Sequence, residues 1–397
     1  MRLEKAMVLL AALVAVIGIL IAISRARRGN EHSVPIAQPG ERATSSHWSS
    51  RKTGVRPEFP SEPISEPQPE TPEDRLHTIA LPGLPRETIE AYLNRHGRTA
   101  ATLLAAYHSS LWTNAPLEVV GYQHIPIGDA SYLREASAKF PEDPRVQCAV
   151  LTDPLLKSAL LEGDASFGEA RKWLEAFKAA APDNAFPNYL SAQAWFWEKN
   201  TSEFLGELAA AEGKTGFDNF ASQYRSDIEQ LYLEAGKTPK EAGYAAAVSQ
   251  VTDSYVGISS LSGMAFELSE LQKSYRDAGD TDSAKRIAEL GLAVAGRLDT
   301  EDANHLLVDQ FNGIAKQVPL LRNLDQNQSY DFLNGRTPAE RLEEVKQEIE
   351  SLKQLSKFGA ETCRSLTDDE WAAFYRQWDL HGETAAIRWL KQQRGNK

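Results

Sequence analysis

Histidine, cysteine and serine are the side chains through which a chain of this kind would do metal or nucleophilic chemistry, so their spacing is the first constraint on function. The eight histidines fall at 32, 47, 77, 96, 108, 124, 305 and 381, with no tight ligand spacing among them. His96 and His108 could meet across one helical hairpin, but two ligands do not make a zinc site. Cys148 and Cys363 are too few for a disulfide framework or a zinc site and read as small buried apolar residues. Gly257-Ile258-Ser259-Ser260-Leu261 lacks the closing glycine of a nucleophile elbow. No Gly-rich phosphate loop, dinucleotide fingerprint or His-Glu-x-x-His run occurs. The acid pairs Glu343-Glu344 and Asp368-Asp369 are accounted for as solvated or first-turn helix charges. The expectation is therefore no cofactor, no metal and no catalytic residue.

The elements that would position any binding residue are helices. Apart from a short run from Leu117 to Tyr122, the alternation of a strand is missing after Pro85, and apolar residues recur at three and four. Ile89, Tyr92, Leu93 and His96 share a face that ends at Gly97, where Leu103, Leu104 and Tyr107 restart the stripe. Ala170, Trp173, Leu174 and Phe177 form another face, stopped by Pro182. Thr337-Pro338-Ala339-Glu340 and Thr367-Asp368-Asp369-Glu370 are capping boxes that open two C-terminal helices. The first carries Leu342, Val345, Ile349 and Leu352, about two heptads, which suits a helix packed within the chain better than a free coiled coil. The second carries Trp371, Phe374, Tyr375 and Trp378, an aromatic face read as core. Val318 to Thr337, broken by Pro319, Asn323, Asn327 and Gly335, should connect rather than pack.

Internal similarity is more informative still. Phe140-Pro141-Glu142-Asp143-Pro144, Ala181-Pro182-Asp183-Asn184-Ala185 and Gly216-Phe217-Asp218-Asn219-Phe220 read as like helix-to-helix joints, spaced in the range of two-helix repeats. A second pattern places large apolar residues at offsets 0, 3 and 7, a turn residue at 11 and a small or aliphatic residue at 16. Leu268, Leu271, Tyr275, Gly279 and Ala284 fit it, as do Tyr189, Ala192, Phe196, Asn200 and Leu205, and Trp371, Phe374, Trp378, Gly382 and Ile387. Tyr275 and Ala284 should then pack together across the turn at Gly279.

These residues resemble the tetratricopeptide repeat family, most closely from Met264 to Gly296 and in the half-repeat of Ala170, Leu174 and Pro182. The sequence departs from the family pattern at Gln193, Gln272, Tyr375 and Gly296, and its spacing is irregular between Asp218 and Val256. The resemblance implies an all-α fold of antiparallel helix pairs stacked as a solenoid, with a groove that binds a protein or peptide segment. On the first helix of each pair the inward face would carry Leu190, Ala194 and Trp197, and Phe266, Ser269, Lys273 and Arg276. An aromatic anchor beside two cations suits an acidic or C-terminal peptide segment.

The chain begins differently. Ala6 to Ile23 is eighteen residues without a charge, about 27 Å of helix, which matches a bilayer core. The run is longer than a usual signal-peptide core and meets Arg25, Arg27 and Arg28 at once, so it reads as a retained anchor rather than a cleaved leader. Orientation stays open: counting positive charges favours a cytoplasmic C-terminus, whereas a short basic lead into an apolar run resembles exported envelope proteins of a bacterial-type inner membrane, the reading taken here. Eight prolines between Pro35 and Pro72, among Ser, Glu, Gln and Thr, make the next stretch a disordered tether that supplies reach. The organisation expected is an anchor over residues 1–28, a linker over 29–75, helix-pair repeats over 76–317, a connector over 318–337 and C-terminal helices over 338–397. The net charge of -12 lies on the C-terminal three quarters and argues against a nucleic-acid partner. A tethered binding scaffold is thus the leading expectation. An envelope hydrolase or transferase and a self-assembling spacer are its rivals, and oligomeric state is left open.

Overall fold

The structure, a computed structural model, describes residues 83–110, 118–120, 123–125, 129–153, 164–300, 304–363 and 365–395. The expected anchor and tether lie outside the described residues. Among the described residues, no helix is long and apolar enough to cross a membrane.

From Arg86 onward the described chain is helical, with one exception where strand alternation was expected: β1 (Glu118–Val120) pairs antiparallel with β2 (Gln123–Ile125). The first four helices are α1 (Arg86–His96), α2 (Ala100–Ser110), α3 (Ala130–Lys139) and α4 (Pro144–Thr152). They are followed by α5 (Asp164–Ala180), α6 (Phe186–Trp197), α7 (Thr201–Glu212) and α8 (Ala221–Glu234). After these come α9 (Pro239–Asp277), α10 (Thr281–Leu298) and α11 (Leu307–Arg322), and the chain ends with α12 (Pro338–Cys363), α13 (Asp368–His381) and α14 (Glu383–Gly395). The three like joints all fall between helices: α3 and α4, α5 and α6, α7 and α8.

Each stretch with the offset pattern folds back on itself. Gly279 and Gly382 sit at φ +81° and +87°, where a side chain would be strained, and reverse the chain between α9 and α10 and between α13 and α14. Asn200 caps α7 by accepting from the Glu203 amide. Beyond the Gly279 turn Ala284 is buried, whereas Tyr275 is only half-buried at the edge of its core.

Among the described residues the helices enclose four apolar cores, and α9 reaches three of them. Its 39 residues, about 58 Å of helix, are far longer than one member of a repeat pair. Ala242, Ala245 and Ala246 join α1 to α6 and α8 in the first core. Tyr244, Ala247 and Val248 meet α12, α13 and α14 in the second. Leu261, Met264, Ala265 and Leu268 pack with α6, α7 and α10 in the third. A capping box at its start, Thr238 to Glu241 with Pro239 between them, is the sequence signal for this helix.

One expectation is corrected. The stretch 318–337 packs rather than connects: Val318 to Arg322 complete α11, and a 3-10 turn forms at Asp331–Leu333. An internal proline costs about 3 kcal/mol. Burying a leucine contributes about 1.5–3 kcal/mol, and Leu320 and Leu321, both 0% exposed, directly follow Pro319, which offsets that cost. Tyr330 and Leu333 then join Ile314, Leu321, Val345 and Leu352 in the fourth core. The heptad residues Leu342, Val345, Ile349 and Leu352 pack in this core.

Candidate functional site

The seven residues expected to line a groove separate into buried and exposed sets. Leu190 and Ala194 are 6% and 4% exposed and belong to the first core, beside Leu174, Phe177 and Tyr224. Ser269 is 2% exposed, on the flank of α9 that α11 covers. There the Leu320 carbonyl accepts from Gln272, and the Ser269 carbonyl accepts from Asn323 Nδ2 at 3.2 Å. One open channel through all seven residues is therefore corrected to exposed edges, because α6 buries two faces and a helix of the same chain occupies part of the groove. Trp197, Phe266, Lys273 and Arg276 remain at the surface.

Two of these edges differ in character. Along the margin of α9 and α11, Lys316 Nζ lies 5.9 Å from the centre of the Phe266 ring, and Arg276 donates to Asn323 Oδ1 at 3.1 Å and pairs with Asp277 at 3.0 Å. Arg276 is thus already accompanied by a carboxylate. At the C-terminal end of α6, by contrast, Trp197 is 63% exposed and Phe196 40% exposed. Phe196 keeps one ring contact, 5.6 Å to Phe204 of α7. The offset of Phe196 implies a packing residue. Phe196 instead lies two residues before the cap Glu198, where the core has ended.

Beneath this end a polar layer fixes α6 between α5 and α7. Glu207 Oε1 accepts from Lys178 at 2.6 Å and Ser191 at 2.8 Å, and its Oε2 accepts from Asn188 at 2.8 Å. Arg171 lies 3.6 Å above the Trp195 ring and donates to Ser191 at 3.1 Å. Burial lowers the Arg171 pKa against the pull of Glu175, Glu207, Glu203 and Glu198. The layer ties α6 to both α5 and α7.

The candidate histidine pair does not meet. His96 bonds Glu234 of α8 at 2.5 Å, whereas His108 is buried with its ring 4.5 Å from that of Tyr224. Among the described residues no group of three or more His, Cys, Asp and Glu is arranged to hold a metal ion. The serines between Gly257 and Leu261 lie within α9, not at a strand-to-helix turn.

Sequence reasoning passed over a carboxylate pair at the start of α11. Asp309 Oδ2 accepts the Leu306 amide at 2.8 Å, and Glu383 Oε2, from the first residue of α14, accepts the adjacent Leu307 amide at 2.8 Å. Burial pushes the Glu383 carboxyl up to about 7, the Leu307 amide opposes this, and Asp309 adds to it. The only sequence sign was an acid directly after a helix-ending glycine.

Comparison with protein-family models, with curated proteins and with solved structures finds no match.

Proposed function

We propose that this chain is a membrane-tethered, tetratricopeptide-like helical scaffold that binds a segment of a protein partner in the cell envelope, with Phe196 and Trp197 as the anchor. The carrying observation is the exposure of these two adjacent aromatic side chains, 40% and 63%, on a helix whose preceding turns are buried. Exposed aromatics on a rigid support are the usual energetic centre of an interface, because they bring large contact area at little conformational cost. The folded-back helix pairs at Asn200, Gly279 and Gly382 support the repeat reading, and the uncharged run from Ala6 to Ile23 supports the anchor. Phe266, Lys273 and Lys316 form a second edge, which suits acidic side chains of the same partner.

The test is selection of displayed peptides on the full chain held in detergent. Enriched peptides should carry an aromatic or branched apolar residue, and F196S/W197S should lose them while keeping its helical circular dichroism. K273E should alter only the preference for acidic residues. Undiminished capture by F196S/W197S removes this surface as the binding site. The chain should also sediment with membranes and resist high-salt extraction, and a soluble chain beginning at Arg25 would overturn the anchor.

A further inference from the structure

We infer that Glu383 and Thr384 of α14 form a proton-sensitive clasp on the first turn of α11, which holds the C-terminal helix pair more firmly in mild acid than above neutrality. The clasp has two parts. Glu383 accepts the Leu307 amide at 2.8 Å, and Thr384 Oγ1 donates to Gln310 Oε1 at 3.0 Å. Thr384 and Gln310 are 1% and 3% exposed, so the bond between them is not readily replaced by water. Gln310 passes the link onward by donating to the Thr300 carbonyl at 3.0 Å, at the end of α10. The ring of His305 stacks on Phe217 in the joint between α7 and α8, at 5.5 Å and 12°. The start of α11 is therefore a junction between the C-terminal helices and the body of the chain.

Two carboxylates meet at this junction on consecutive amides, Asp309 on Leu306 and Glu383 on Leu307. The N-terminus of α11 favours negative charge near it. A second charge beside it is disfavoured, since carboxylates sharing a site resist joint ionisation. The facing groups leave the proton on Glu383. Asp309 is 5% exposed and already serves as the cap of its own helix. Cys363 of α12 is kept a neutral thiol, its pKa raised to about 12 by burial and then by Glu383 itself. His381, at the end of α13, is exposed. A protonated Glu383 still accepts the Leu307 amide through its carbonyl oxygen.

The sign follows from the raised pKa. The folded chain holds the Glu383 proton up to about 7, against 4.5 ordinarily, so the clasp weakens as pH rises through that interval. Ionised Glu383 then opposes Asp309 across one helical turn.

Amide hydrogen exchange on the full chain between pH 5.5 and 8.5, corrected for the intrinsic pH dependence of exchange, tests this directly. Protection of residues 305–310 and 383–388 should fall several-fold across that range in the wild-type chain. E383Q keeps an acceptor but cannot ionise, and its protection should be flat. In D309N the opposing charge is gone, and the fall should become smaller. A pH-independent wild-type chain, or an E383Q chain with the wild-type slope, overturns the clasp.

Discussion

Asn184 and Asp218 exchange two hydrogen bonds: Asn184 Nδ2 donates to the Asp218 carbonyl at 2.7 Å, and the Asp218 amide donates to Asn184 Oδ1 at 2.9 Å. Two joints that look alike in sequence thus dock side by side, and the Gly216 amide adds a bond to the Asp183 carbonyl at 3.0 Å. Asn184 Oδ1 also accepts from the Phe186 amide at the start of α6, so one side chain both caps a helix and fastens the joints.

N184A should therefore be costly for a polar-to-small change. It leaves the Asp218 and Phe186 amides without their acceptor in a place where Asn184 itself is 6% exposed. At about 1–3 kcal/mol for each buried group left unsatisfied, a total loss of about 3 kcal/mol is expected, allowing for partial relaxation. Urea unfolding followed by circular dichroism measures it. A loss under about 1 kcal/mol would show that the two joints are not fastened through Asn184.

Two glycines on facing helices should respond in opposite ways to alanine. A Cβ on Gly313 would lie 2.7 Å from the Ala295 carbonyl oxygen and 2.9 Å from the Asp299 amide, both backbone atoms that cannot turn aside. G313A should destabilise by about 1–3 kcal/mol through overpacking between α10 and α11. At Gly296 nothing lies within 4 Å of an added Cβ, so G296A should stabilise by about 0.5–1 kcal/mol, the ordinary helical preference for alanine. Thermal melts of both variants decide this, and equal shifts would remove the close approach of α10 and α11 as its cause.

What could be read in the sequence was what repeats locally. Capping boxes at Thr337 and Thr367, the turns at Gly279 and Gly382, and the three like joints depend on neighbours a few residues away, and each is a helix boundary in the structure. The content of the cores was harder to read. Leu190 and Ala194 lie on an offset face that is open only if α6 packs on one side, and α6 packs on two. Pro319 reads as a break until Leu320 and Leu321 are seen to be buried beyond it. The Glu383 contact escaped because its partner is an amide 76 residues away, and no side-chain pattern marks an amide as waiting for a carboxylate.

Glu207 is the centre of the layer that supports the exposed aromatic end of α6. Burial, the largest single influence, raises its pKa, but hydrogen bonds from Lys178, Ser191 and Asn188 together hold it below the usual carboxylate range. A carboxylate with a depressed folded pKa stabilises the chain above its unfolded value of about 4.5, and that contribution is lost as pH falls through the folded value. E207Q retains the shape but presents an amide group to donors and leaves Lys178 without this partner. Lys178 keeps Glu175 as a partner at 2.7 Å, and Lys214, whose pKa is lowered by burial and then by Lys178, lies close enough to feel the change in balance. The variant should be about 2 kcal/mol less stable at pH 7, a figure set below that of a fully buried pair because Lys178 and Glu207 keep 16% and 13% of their side-chain exposure. At pH 3 the wild-type chain has lost part of the same contribution, so the gap between the two chains should narrow. Urea unfolding of both at pH 7 and pH 3 gives the comparison. An undiminished gap at pH 3 would mean that the loss comes from packing around residue 207 and not from its charge.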